Sequence, residues 1–397
     1  MDIDLKSDDS ASDASEEETS FSESTPEKSK KDKKKIKKPL KQRIVEFFKN
    51  PKKRLIFEIC LGLVLIIIFA IGLKLLTRTG GSFITQTKDK KVTEIPEVTY
   101  PSVLDGVLTT DQAAANKHPL AITVENDPAA RPQSGLDKAS IVYETVYDPA
   151  ATTRFLAIYG ENEAEKVGPV RSARTFFVDW AHGYDAYLGH WGGNIDALDQ
   201  IRKEKIYDLD EFAYAGLYWR EGGKSTEHTG YTSTTKLRQQ AEKNKYPTAN
   251  NFTVYQFKDD PETLPESQKI SINFSSAKYK VDFIYDKASN SYKRDLAGAA
   301  HKDAIAKEQL SPKNIVVMTV ARKQTTTRIN ESGYTMTTVG SGKARIFLDG
   351  KEISGTWKKN AADEREVFYD EAGNEVVFNR GQLWICVVAD NKVVSVQ

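Results

Sequence analysis

Residues 119–159 read PLAITVENDPAARPQSGLDKASIVYETVYDPAATTRFLAIY, and the fold class turns on this stretch. Leu120–Glu125 (LAITVE), Ser140–Val146 (SIVYETV) and Arg154–Tyr159 (RFLAIY) are rich in β-branched and aromatic residues, with Pro, Gly and Asp punctuating the gaps. They predict three strands. Ser172 then opens a predicted helix in which Ala173, Phe176, Phe177 and Trp180 form one apolar stripe at helical spacing. Ala186–Trp191 is a further strand, ending in Gly192–Gly193. Asn194 is placed to cap a helix over Ile195–Glu204, and Ser233 or Thr232 one over Thr234–Asn244. Such alternation predicts a mixed sheet with helices over residues 119–258.

Further on the pattern changes. Ile270–Phe274, Lys280–Tyr285, Ile315–Ala321, Ala344–Leu348, Val376–Phe378, Leu383–Val388 and Val393–Val396 read as short strands separated by turns such as Asp349-Gly350. Residues 268–397 are therefore expected to form a smaller, mostly β unit, a barrel or sandwich, divided from the first near Pro261 and Pro265.

Upstream, the chain is charge-blocked. Residues 1–24 hold nine acidic side chains against Lys6, and residues 25–54 hold fourteen Lys and Arg against Glu27, Asp32 and Glu46. These blocks cancel in the whole, where 57 basic residues face 56 acidic ones. A segment so charged and so poor in apolar periodicity is expected to be a disordered tail over 1–54. Leu55–Leu76, LIFEICLGLVLIIIFAIGLKLL, matches the roughly 20 apolar residues of a membrane-spanning helix. The basic block before it places the N-terminus in the cytoplasm and the rest outside. Residues 77–118 read as a linker. The expected fold class is thus α+β: a single N-terminal transmembrane helix, a mixed α/β domain and a smaller β-rich one. The two cysteines, Cys60 and Cys386, exclude a disulfide scaffold and a Cys-based zinc site.

Arginines mark the candidate site. Arg131 lies in a Pro/Gly loop, Arg154 opens a strand, and Gly168-Pro169-Val170-Arg171-Ser172-Ala173-Arg174 sets two more at a helix entrance. Arg220 follows Trp219. Arginine near a helix N-terminus opposes the dipole, so a compensating anion is expected, either a ligand or an internal acid such as Glu144 or Asp179. Arg131, Arg154, Arg171, Ser172, Arg174 and Arg220 are the ligand-binding candidates. Glu125, Glu144, His190 and His228 are candidates for acid/base work, Glu144 because an acid inside an apolar strand calls for a partner. The chain has no HExxH, no P-loop, no GxGxxG and no GxSxG nucleophile elbow, so neither metal nor other cofactor is expected. The partners expected are the membrane and a cell-wall or glycan ligand, with no nucleic acid. Function is expected to be the binding of an anionic or glycan envelope component. The alternatives are an envelope hydrolase using a Glu/His pair and a structural interaction module.

Taken together, Glu125-Asn126, Ala130-Arg131-Pro132-Gln133-Ser134-Gly135-Leu136, Ile141-Val142-Tyr143-Glu144, Thr153-Arg154-Phe155-Leu156-Ala157 and Gly168–Arg174 resemble the YerB-like bacterial family of lipoproteins of unknown function. His190, Gly192-Gly193, Trp219-Arg220, His228 and Tyr231-Thr232 continue the likeness, as do Ala300–Asp303 and Gly381–Ile385 more weakly. The resemblance implies N- and C-terminal family domains over most of residues 119–397 and an envelope location, without an activity. Two features depart from the family: its members are commonly lipid-anchored, and the acid before Asn126 is Glu125 where the family has Asp.

Overall fold

The computed structural model describes residues 97–397 apart from 224–225 and 391–392, together with Pro51, Lys52, Leu61, Gly62 and Leu65. The first half gives the main sheet five strands: β1 (Leu120–Glu125), β2 (Ile141–Val146), β3 (Thr153–Tyr159), β4 (Tyr187–His190) and β5 (Asp208–Asp210). The second half supplies β6 (Lys269–Asn273), β7 (Lys280–Asp286), β8 (Ser291–Leu296), β9 (Ala299–Ala300), β10 (Asn314–Thr319), β11 (Gly340–Leu348), β12 (Lys351–Lys359), β13 (Val367–Asp370), β14 (Leu383–Val388) and β15 (Val394–Val396). The helices are α1 (Gln112–Ala115), α2 (Thr175–His182), α3 (Ile195–Glu204) and α4 (Thr234–Lys243).

One ten-stranded sheet runs in the order β13-β12-β11-β10-β14-β2-β3-β1-β4-β5. It draws on both halves of the chain. The join is β14, which pairs in parallel with β2 on one side and with β10 on the other. All six residues of β1, β2 and β14 are buried, as central strands covered on both faces must be. On one face Ala121, Tyr143, Leu156 and Leu188 meet Phe176, Phe177 and Trp180 of α2. On the other, Ile122, Val142, Phe155 and Trp384 meet Leu237 of α4 and Ile270, Val281 and Phe283 of a second, five-stranded sheet, β9-β8-β7-β6-β15. β6 and β7 alternate buried and more exposed residues, because that sheet has only one covered face.

The expected fold class is corrected here in two respects. The α/β part and the β part are not separate domains: residues 94–397 form one unit, and the main sheet passes through both. The physical reason is that β2 and β10 each need a partner for their backbone N–H and C=O groups, and β14 satisfies both. Nor do the described residues carry the transmembrane helix expected over Leu55–Leu76. Among the described residues no helix is long and apolar enough to cross a membrane, and that segment, Leu61, Gly62 and Leu65 apart, lies outside them. The expected tail over 1–54 lies outside them too, save Pro51 and Lys52. Of the expected linker, residues 97–118 are described, and Leu104, Asp105 and Ala115 within it are buried.

A polar chain crosses the interior between the main sheet and the second one. Glu144 of β2, fully buried, pairs through Oε2 with Arg294 NH2 of β8 at 2.7 Å. Its Oε1 accepts from Asn126 Nδ2 and Thr153 Oγ1, both at 3.1 Å. Arg294 lies 4.6 Å from the Trp384 ring centroid and donates to His301 Nδ1. His301 Nε2 donates to Gln133 Oε1 at 2.8 Å, and Gln133 Nε2 donates to Asn126 Oδ1 at 2.9 Å. Burial, reinforced by Arg294 and Arg131, holds the His301 pKa well below the ordinary histidine value, so the ring is neutral. Asp303 accepts from the backbone N–H groups of Gly135 and Leu136, at 2.6 and 3.1 Å. The Arg-Pro-Gln-Ser-Gly loop is thereby fastened to the second half of the chain.

Removing one partner of a buried ion pair strands a charge away from water. Arg294→Ala should therefore lower unfolding free energy by about 3–5 kcal/mol. The double variant Glu144→Leu/Arg294→Met should lose less than Arg294→Ala alone, because it buries no orphaned charge. Urea unfolding of the three proteins measures the difference.

Candidate functional site

The carboxyl ends of β1, β2, β4 and β5 lie on one edge of the main sheet, where Glu125, Tyr147, His190 and Asp210 gather. Arg154 joins them because β3 runs antiparallel to β1, in the register Glu125 opposite Arg154. The Gly168–Arg174 loop crosses this edge. Its backbone is laid down by Glu125 N–H to Pro169 O at 2.9 Å and Arg171 N–H to Thr123 O at 3.1 Å. On its other side Val170 N–H donates to Gly230 O and Ala173 N–H to Gly192 O. Backbone bonding on both sides leaves the Arg171 and Arg174 side chains to project from a fixed frame.

Arg171 Nε lies 3.1 Å from Glu125 Oε1, and its NH1 donates to Glu227 O at 3.0 Å. Glu125 Oε2 in turn meets His228 Nδ1 at 2.8 Å. Arg154 is buried, donates through NH1 to Ser172 O at 2.7 Å, and stacks 3.7 Å from the Tyr147 ring centroid. Arg174 donates to Ala173 O and lies 5.2 Å from the same ring. Among the described residues neither Arg154 nor Arg174 forms an ion pair with a carboxylate. Burial pulls the Arg154 guanidinium down to about 9, Tyr147 opposing and Arg174 and Arg171 adding to the shift. It is still a cation at neutral pH. Three arginines thus stand together with one paired carboxylate, Glu125.

Beside them is a cleft of about 250 Å³, lined by Arg171, Ser172, Trp191, Phe212, Arg220 and Glu227 with Gly192 and Gly193 as floor. Arg220 lies 4.2 Å from the Trp191 ring centroid and donates to Thr226 O. Phe212 is 77% exposed. The glycines matter here: a Cβ on Gly192, which has φ +61°, would come within 2.7 Å of the Phe212 ring, and one on Gly230 within 2.5 Å of the Trp191 ring.

The structure therefore brings together Glu125, Arg154, Arg171, Ser172, Arg174, Arg220 and His228. It places three candidates elsewhere. Arg131 donates to Asn126 at 3.0 and 3.1 Å and belongs to the interior polar chain. Glu144 is enclosed, with both its oxygens satisfied. His190 is fully buried beneath the cleft floor, with Nε2 2.8 Å from Asp208 Oδ1 and Nδ1 2.8 Å from Gly192 O. Tyr147, Phe212 and Glu227 were not singled out from sequence. Phe212 had one signal, a lone aromatic in the polar stretch Asp210-Glu211-Phe212. Among the described residues no group of three His, Cys, Asp or Glu side chains is arranged to hold a metal ion.

The chain belongs to the family whose models are described as "Protein of unknown function (DUF3048)": the N-terminal domain matches residues 104–247 and the C-terminal domain residues 270–385. It is 30% identical over 294 residues to "Putative lipoprotein YerB" of Bacillus subtilis (strain 168), across 73% of this chain and 86% of that protein. The crystal structure of the YerB protein from Bacillus subtilis superposes with a TM-score of 0.68 at 28% identity, covering 75% of this chain and 99% of that one. The β14 junction therefore unites the two family domains in one sheet.

His190 gives the cleft floor a pH dependence. Burial favours the neutral ring, but the Asp208 hydrogen bond, the charges of Asp208 and Asp210 and the Gly192 carbonyl outweigh it and raise its pKa. A raised folded pKa adds stability that is complete below the unfolded value of about 6.5 and is lost as pH rises through the folded value. Urea unfolding at about pH 5.5 and about pH 8.5 should thus show a larger loss of stability for the native protein than for His190→Gln.

Proposed function

We propose that this protein is a membrane-associated, extracytoplasmic binding protein that captures an anionic component of the cell envelope at the strand-end arginine cluster. The location draws on kinship with a protein named as a lipoprotein. The binding reading draws on a single observation: Arg154, Arg171 and Arg174 stand together beside a cleft with one carboxylate in direct ion-pair contact, Glu125, while Asp148 and Glu331 act on Arg174 only at longer range. A guanidinium held by a backbone carbonyl and an aromatic face, as Arg174 is, keeps donors for a carboxylate or phosphate, which it binds in a planar fork. Direct ion pairing accounts for Arg294, through Glu144, and for Arg171, through Glu125, but not for Arg154 and Arg174.

A second reading, an envelope hydrolase, is favoured by the Glu125–His228 contact of 2.8 Å, a carboxylate orienting an imidazole at the cleft edge. Turnover of cell-wall fragments by the native protein, abolished in His228→Gln, would establish it.

The binding reading is tested with the full chain and soluble cell-wall fragments, separated into anionic and neutral pools. Arg171→Ala should weaken binding of the anionic pool by about tenfold or more, the value of a charge-assisted hydrogen bond. Arg345→Ala, which removes a cation paired with Glu352 on β11 and β12, should leave it unchanged. Equal binding of the two pools by the native chain would refute the reading.

A further inference from the structure

We propose that the anion held here is the carboxylate of an acidic saccharide, with one sugar ring seated in the cleft against Phe212; the proposal rests on the anion-binding reading above. Phe212 carries it. A phenylalanine 77% exposed is unremarkable when it stands alone on a surface. This one forms a wall of a cleft whose other walls are Arg171, Arg220 and Trp191. Its ring lies over Gly192, whose lack of a Cβ leaves the room it occupies. The result is an aromatic face beside guanidinium groups, open to solvent.

Three features select the ligand class. The first is size. About 250 Å³ is the room of about eight waters, enough for one substituted pyranose ring, while a second ring would lie outside. The second is the number of free aromatic faces. Trp191 is already covered, by Arg220 on one side and by the backbone at Gly230 closely against its ring. Phe212 alone offers a face, which suits the C–H side of a sugar. A nucleobase gains most when sandwiched between two rings. The third is the polar border. Sugar hydroxyls around an apolar ring face need donors and acceptors, and Ser172, Glu227 and the arginines stand around Phe212. A guanidinium of Arg171 or Arg220 takes the carboxylate. Glu227 disfavours a ligand carrying several negative charges close together.

The test titrates the full chain, in detergent, with trigalacturonate, chitotriose, inorganic phosphate and triglutamate by calorimetry. Trigalacturonate should bind, chitotriose should bind about tenfold or more weakly, and phosphate and triglutamate weakly or not at all. Phe212→Ala should weaken trigalacturonate binding about tenfold and Phe212→Trp should preserve it, with unfolding midpoints unchanged because the side chain lies outside the core. If phosphate or triglutamate binds and trigalacturonate does not, the saccharide is overturned while the anion site survives. If trigalacturonate binds equally well to Phe212→Ala, the ring placement is overturned. If no anion binds, both readings fall together.

Discussion

Strand β14 is buried at all six positions and hydrogen-bonded along both edges, to β2 and to β10. Most other features of the molecule follow from that placement. A parallel strand with two parallel neighbours needs cover on both faces, and the cover here comes from α2 and α3 on one side and the five-stranded sheet on the other. Withdrawing β14 would expose two strand edges at once and open both cores. The two family domains are thus separable in sequence but not in structure. The Glu144–Arg294 pair sits at the same seam: Glu144 is opposite Cys386 of β14 in the register, and Arg294 reaches it from the second sheet.

Much of the first half was legible because its signals are local. LAITVE is a strand with the expected bounds, and Asn194 caps the helix Ile195–Glu204 by accepting from Ala197 N–H. The stripe of Phe176, Phe177 and Trp180 is buried as its spacing implied. The change in strand density marks the two family domains but does not reveal that they share one sheet. A strand carries no local mark of which sheet it will join. LWICVV reads as a buried strand in either half, and only pairing partners more than two hundred residues away place it beside IVYETV. The strands Ser291–Leu296 and Lys351–Lys359 escaped notice for another reason. SYKRDL and KEISGTWKK are too polar to stand out, since each carries its apolar residues on one face only.

The site divided along the same line. Glu125, Arg154 and Arg171 converge because the register of β1 against β3 sets Glu125 opposite Arg154, and the Gly168–Arg174 loop is bonded to the end of β1. Sequence offered the residue types without the register. It could equally well have sent Arg171 to Glu144, the fourth residue of β2, which carries the same charge. Glu144 is taken instead by Arg294, from a region where no functional residue had been sought.

That division of arginines has a physical logic. A guanidinium in the interior must be neutralised, and Arg294 is, by a carboxylate that is itself hydrogen-bonded at both oxygens. Arg154 is as deeply buried, yet among the described residues its contacts are a carbonyl and the face of Tyr147, with the Glu125 charge acting on it at longer range. Both partners interact with the cation without cancelling its charge. A hydrophobic side chain of similar volume there would avoid the desolvation cost altogether. On the proposed reading, the missing negative charge next to Arg171 and Arg174 arrives from solution, at the sheet edge the three arginines occupy.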